Sequence, residues 1–271
     1  LTALGGTFTR ASTAYRTNSS GLLESVSSDV LRFNYDRTGF PLGILLEGAR
    51  TNICQQSQTF DNAYWNKSGL AATADNAVAP DGTTTADRIV EAGADVLITQ
   101  NPITIVAGTT YTVSIYVKRS NIQWLRLIVD SNGALGVNGI RSWFDVQNGA
   151  VGTSGSDVGA WTTVSRSIEP VANGYYRASI TFVATGSTTL WLWFNSATAD
   201  GGNTRVTTGT YWLWGAQAEV GSFASSYIPT TSGSVTRAAD SLGGTPLSTW
   251  HNSAAGTIFF DAVSLGTDAG A

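Results

Sequence analysis

The stretch Tyr211-Trp212-Leu213-Trp214-Gly215-Ala216-Gln217-Ala218-Glu219-Val220-Gly221 constrains the fold more than any other part of the chain. Read with a period of two, it places Tyr211, Leu213 and Gly215 on one face and Trp212, Trp214 and Ala216 on the other, so both faces are apolar. A strand of this kind has to be covered on both sides, which makes it central. Upstream segments supply its neighbours. Residues 110–118 alternate, with Tyr111, Val113, Ile115 and Val117 inward and Thr112, Ser114, Tyr116 and Lys118 outward. Residues 124–129 repeat the pattern with Leu125, Leu127 and Val129 inward. Ser142 to Val146 runs into Asn148-Gly149, a strong hairpin signal. Trp161–Ile168, Tyr175–Ala184 and Thr189–Asn195 follow at intervals of roughly ten residues. Helical periodicity is nowhere sustained. An all-β sandwich of about eight strands over residues 51–231 is the economical expectation.

Residues 1–50 carry only short extended segments between Asn-Ser-Ser-Gly and Arg-Thr-Gly turns. They are too sparse to build a core and are expected to lie as an extended arm on the sandwich or on a neighbouring subunit. Residues 232–271 read as a linker followed by one further strand, Ile258-Phe259-Phe260-Asp261, either pairing with the arm or opening another module.

Charged residues make up 13% of the chain and Gly accounts for 30 of 271 positions, a composition of Gly turns and hydroxyl-rich surfaces seen in secreted or virion β-proteins. The formal net charge of −4 leaves no basic stripe to neutralise phosphates, so nucleic acid and anionic membrane surfaces are poor partners. No apolar run approaches the ~18 residues of a spanning helix, and membrane insertion is not expected. Cys54 is the sole cysteine, reads as a small buried hydrophobe and leaves the fold to hold by core burial. Because the chain contains no Met, even at position 1, it is expected to begin after missing residues, as a fragment, a processed product or the ordered part of something longer.

Two resemblances meet in this sequence. Arg50-Thr51-Asn52, Tyr64-Trp65, the Pro80-Asp81-Gly82 turn, Gly108 to Ser114 and Gln217-Ala218-Glu219-Val220-Gly221 resemble the jelly-roll carbohydrate-binding modules of xylanases and cellulases. The flanks are Phe8–Ala14, Arg32–Asp36, Leu45–Asn52, Ser226–Thr231 and Val235–Asp240. They resemble a module of bacteriophage and prophage tail-fibre, tail-spike and head-fibre proteins. The resemblance implies an extracellular virion-surface protein, a homotrimer, with other virion proteins and a host-surface glycan as partners. It also implies that the last segment opens a concanavalin-A-like module.

Sugar recognition needs flat aromatic faces with polar groups beside them. The outward positions and the aromatic turn give the candidates Tyr64, Trp65, Tyr116, Trp124, Arg126, Trp143, Trp191 and Trp193, with Asp145, Arg177 and Gln217 as polar neighbours and Trp212 and Trp214 on the central strand. If their strands adjoin, Trp124, Arg126, Trp191 and Trp193 form one platform. The alternative is that these rings pack inside the fold or between subunits. Catalysis has little to work with: the single His251 lies in the terminal segment, and Asp145 with Glu219 is the only carboxylate pair worth naming. No cofactor is expected. Asp75, Asp81 and Asp87 could hold a structural Ca²⁺, with solvated turn acids as the simpler account. The expectation is therefore a non-catalytic fibre segment that attaches to glycan. A ligand-free virion connector and the binding module of a secreted polysaccharide-degrading enzyme are the alternatives.

Overall fold

The computed structural model describes residues 6–244 apart from 94–96, 101 and 134–137, so His251 and the strand expected at 258–261 lie outside the described residues. The arm consists of β1 (Gly6–Thr9), β2 (Ala14–Thr17), β3 (Leu23–Val26), β4 (Phe33–Tyr35), β5 (Pro41–Ile44) and β6 (Arg50–Asn52). There follow β7 (Trp65–Ser68), β8 (Leu70–Ala77), β9 (Ala86–Glu91), β10 (Leu97–Gln100), β11 (Ile103–Thr104), β12 (Thr110–Arg119) and β13 (Trp124–Asp130). Then come β14 (Gly139–Asp145), β15 (Ala150–Val158), β16 (Thr162–Pro170), β17 (Tyr176–Val183), β18 (Thr189–Ala197) and β19 (Thr210–Val220). The last two strands are β20 (Val235–Arg237) and β21 (Ser241–Gly244), and no α-helix occurs among the described residues.

Two antiparallel sheets form the sandwich. The first runs β15-β14-β13-β18-β10-β7, with β11 also on β18; the second runs β16-β17-β12-β19-β9-β8. Leu125, Leu127, Val129, Leu190, Leu192 and Phe194 of the first meet Tyr111, Val113, Ile115, Val117, Ile180 and Leu213 of the second in one buried core. The alternation read from the sequence therefore holds on β12, β13 and β18. Trp161 stacks on Phe182 with ring centroids 5.1 Å apart. Cys54 is wholly buried in this core, and desolvation pushes its thiol up to about 12.

β19 lies between β12 and β9, as a two-faced apolar strand should. The strict alternation breaks at one residue. Gly215 has φ of +64°, and the register with β12 shifts between Ser114 and Tyr116, so an extra residue is inserted there. Ala216 consequently joins the core with Ala218 instead of sharing the face of Trp214. A Cβ at Gly215 would sit 2.7 Å from the Tyr116 ring, which explains why no side chain fits. After the bulge Gln217 and Glu219 face outward and hold the chain that leaves the sheet. Gln217 Oε1 accepts the Ile228 N–H at 2.8 Å, and Glu219 Oε1 accepts that of Ser225 at 2.9 Å.

The arm covers the outer face of the second sheet. Tyr15 and Leu23 pack on a second apolar cluster that includes Tyr116, Tyr175, Trp214 and Tyr227. Residues 235–244, read from sequence as the start of a linker, turn back instead: β20 pairs with β6 and β21 with β1. An ionic cluster joins the same parts. Arg32, fully buried, donates to Glu47 Oε2 at 2.7 Å, Tyr15 O at 2.8 Å, Ser226 Oγ at 3.0 Å and the Asp240 carboxylate. Arg10 reaches the other oxygen of Asp240 at 3.1 Å, and Arg237 lies 3.4 Å from Glu47.

Candidate functional site

The strands carrying Trp124, Arg126, Trp143, Trp191 and Trp193 do adjoin. Arg126 of β13 stands opposite Trp143 of β14 and Asn195 of β18, while Ile128 faces Trp193 and Asp130 faces Trp191. All five candidates thus share the outer face of the first sheet. Most of that face is closed. Arg126 is 2% exposed, Trp143 4% and Trp193 8%, and only Trp124 and Trp191 remain half-buried. The cover over Trp143 is the connection from β18 to β19: the indole N–H donates to Gly202 O at 2.9 Å, and Asp200 anchors the connection to the Thr153 N–H at 2.8 Å.

The remaining sequence candidates lie elsewhere. Trp65 does not stand in a surface turn: it opens β7, is 1% exposed, packs on Phe60 at 4.8 Å and donates its indole N–H to Gln56 O. Tyr64 beside it is half-buried. Tyr116 points outward from β12 as its phase requires, yet Trp214 and Tyr227 enclose its ring at 5.2 and 6.0 Å. Neither Trp65 nor Tyr116 offers a ring face to a ligand in this conformation.

An open groove of about 350 Å³ lies between the arm and the outer face of the second sheet, within the range of small-ligand sites. Its floor comes from β16 and β17, where Ser167 pairs with Ser179 and Glu169 with Arg177. One wall is arm, including Tyr15, Arg16 and Asn34; the other is the segment 222–227, including Phe223. Each wall is held in place. Tyr15 meets Tyr227 edge to face at 5.4 Å, and Arg50 stands 5.2 Å over the Phe223 ring. Arg177 fixes the floor to the second wall by donating to Ser114 Oγ at 2.9 Å and Ser225 O at 2.7 Å.

Electrostatics separate the groove's structural acid from its accessible one. Burial pushes the Glu47 carboxyl up, but Arg237, Arg32 and two hydrogen bonds from Ser226 outweigh it and hold the group below its ordinary value. Glu47 is thus a fixed anion and cannot deliver a proton. Burial, with Asp81 and Tyr116 nearby, raises Tyr15, which stays a neutral phenol. Glu169 is exposed at the groove. The groove therefore offers hydroxyls, an amide, a guanidinium and a carboxylate between two aromatic side chains, a lining that suits a polyhydroxylated ligand with apolar C–H faces.

Asp145 and Glu219 cannot cooperate. The first lies on the outer face of the first sheet opposite Trp124, and the second lies on the outer face of the other sheet opposite Thr112. The three aspartates considered for Ca²⁺ are also separately engaged. Asp87 accepts the N–H groups of Phe60 at 2.6 Å, Asp75 at 3.0 Å and Asp61 at 3.1 Å, while Asp81 accepts from Thr83 within its own turn. No group of three or more His, Cys, Asp or Glu suited to a metal is found among the described residues.

Sequence patterning finds the phase of Trp124, Arg126, Trp191 and Trp193, but not that of Gln217 and Glu219 beyond the bulge, and not what lies over any of them. Of the residues singled out from the sequence, Tyr116 and Arg177 line the groove; the rest of it was missed because its parts are some two hundred residues apart and its floor is largely Ser. The outward polar row Ser165, Ser167 and Glu169, directly after a two-faced core, is the signal that points to it.

The sequence matches no protein-family model and no curated protein. Among solved structures, 62% of this chain aligns with the enzymatically active domain of tailspike protein 4 of bacteriophage CBA120, at 12% identity and a TM-score of 0.37, spanning only 21% of that chain. The CBM22-1 xylan-binding domain of Paenibacillus barcinonensis Xyn10C aligns with 65% of this chain at 12% identity and a TM-score of 0.34, over 94% of its own length. TmCBM61, solved with β-1,4-galactotriose, aligns with 60% at 13% identity and a TM-score of 0.25, over 97% of its length. At these scores the likenesses carry no argument about ligand or activity, and what stands for this chain is its all-β, antiparallel sandwich.

Proposed function

We propose that this chain is a non-catalytic glycan-binding segment of a bacteriophage virion fibre, and that the groove between arm and sandwich is where the glycan lies. The carrying observation is the groove itself: about 350 Å³, open, with Tyr15 and Phe223 in opposite walls above a floor of Ser165, Ser167, Glu169, Arg177 and Ser179. The virion setting rests on the arm and exit motifs, from Phe8–Ala14 to Val235–Asp240. Titration of the full chain with a panel of bacterial-surface oligosaccharides tests the reading. Binding that weakens in Phe223→Ala and Glu169→Gln supports it; equal binding by both variants removes the groove from consideration.

Assembly contact with further copies of the chain, as a homotrimer on the virion surface, is a second reading. It is favoured by the apolar hairpin β4–β5 and its flanks, where Phe33, Phe40, Leu42, Ile44 and Leu46 are 50, 65, 61, 43 and 45% exposed. Sedimentation of wild type against Phe40→Ser/Leu42→Ser decides it: a trimer that dissociates in the variant supports this role, and a monomeric wild type excludes it.

A further inference from the structure

Among the described residues, the Trp-rich face holds a buried cation that forms no ion pair. Arg126 is 2% exposed, its Nε has no hydrogen-bond partner, and its one close interaction is with the Trp143 ring, 5.4 Å from the guanidinium carbon. Desolvation, reinforced by the charges of Arg205 and Arg141, depresses its pKa to about 10, so three guanidinium groups influence one locus of a chain whose formal net charge is −4. The carboxylates of this face form no ion pair with Arg126: Asp145 accepts from Gln123, Gln147 and Asn148, Asp130 Oδ1 from the N–H groups of Asn132 and Gly133, and Asp200 Oδ2 from Thr153, while Asp130 Oδ2 is buried with no hydrogen-bond partner of its own. A second buried donor on the same face, the indole N–H of Trp193, also lacks an acceptor. An unpaired buried cation and an unused N–H on one sheet face are both costly, and an oxyanion is the kind of group that either would accept.

We propose that this face is a second binding site, separate from the groove, for a sugar unit bearing a carboxylate or sulfate. Its oxyanion pairs with Arg126, and the half-buried rings of Trp124 and Trp191 flank it. Since Arg126 is covered, entry requires the connection over Trp143 to lift, and the Trp signal changes on binding.

The experiment follows melting midpoint and Trp fluorescence of the full chain with three probes: an oligogalacturonate, a neutral oligogalactoside of equal length, and inorganic sulfate. The acidic oligomer is expected to raise the midpoint and change the fluorescence, with at least a tenfold advantage over the neutral one. Phe223→Ala should leave that response intact. Arg126→Met, which removes the buried charge, should be at least as stable as wild type without ligand and should lose the response. Should that variant not fold, Arg126→Lys serves: the loss of its planar fork is expected to weaken the response severalfold. Equal responses to acidic and neutral oligomers overturn the proposal, as does an undiminished response in the Arg126 variant that folds. A full response to sulfate alone overturns the sugar part of it and leaves a free-anion site.

Discussion

Asp240→Asn is the sharpest perturbation of the junction between arm and sandwich. The Asp240 side chain is fully buried, pairs with Arg10 at 3.1 Å and with Arg32, and accepts the Glu47 N–H at 2.8 Å. Three guanidinium groups, Arg10, Arg32 and Arg237, surround two carboxylates, Glu47 and Asp240. The amide keeps the shape but leaves three buried cations facing one anion. Removing one partner of a buried ion pair costs about 3–5 kcal/mol, and this is the unfavourable direction of charge imbalance. Arg32→Met runs the other way. It leaves two cations with two anions, and its main cost is the stranded acceptors Tyr15 O and Ser226 Oγ, about 1–3 kcal/mol. Urea unfolding followed by Trp fluorescence measures both, since the arm contains no Trp and the sandwich reports its own unfolding. The expected order is Asp240→Asn well below Arg32→Met. Near-equal stabilities, or the reverse order, would refute the charge accounting.

Gly215→Ala should cost about 2–4 kcal/mol, combining a left-handed φ with a Cβ 2.7 Å from Tyr116; a loss under ~1 kcal/mol in urea unfolding would show that the bulge relaxes freely. Stability should also pass through a maximum in mildly acid solution. Burial pushes Asp87 up to about 6 even though three backbone N–H groups oppose it, so the folded state binds the extra proton and the urea midpoint should rise as pH falls from 7 to 5. Glu47 has the opposite sign: its folded pKa lies below the ordinary value, so its contribution is present above the usual carboxylate range and is lost as pH falls through the folded pKa. A midpoint that falls steadily from pH 7 downward contradicts the Asp87 half of this statement.

The core was legible in the sequence because its signal is local. Tyr111, Val113, Ile115 and Val117 alternate within one strand, and burial of one face follows directly. The bulge was less legible. Gly215 falls in an apolar run where either phase can be continued, and only the Tyr116 and Tyr227 rings above it decide that Ala216 turns inward. Coverage was not legible at all. Tyr116 and Trp143 are outward by phase yet buried, because the Tyr227 segment closes over one and the Gly202 segment over the other. The groove depends on the same long-range closure, since Glu47 of the arm must reach Ser226 before the wall carrying Phe223 is set.

The proposed glycan site is the groove beside Phe223. Calorimetric titration of the wild type and of Phe223→Ala with an oligosaccharide that the full chain binds measures what that ring contributes. The expected result is at least about a tenfold loss of affinity, about 1.4 kcal/mol, in a variant that retains the wild-type melting midpoint. Unchanged affinity in such a variant would rule the groove out as the site.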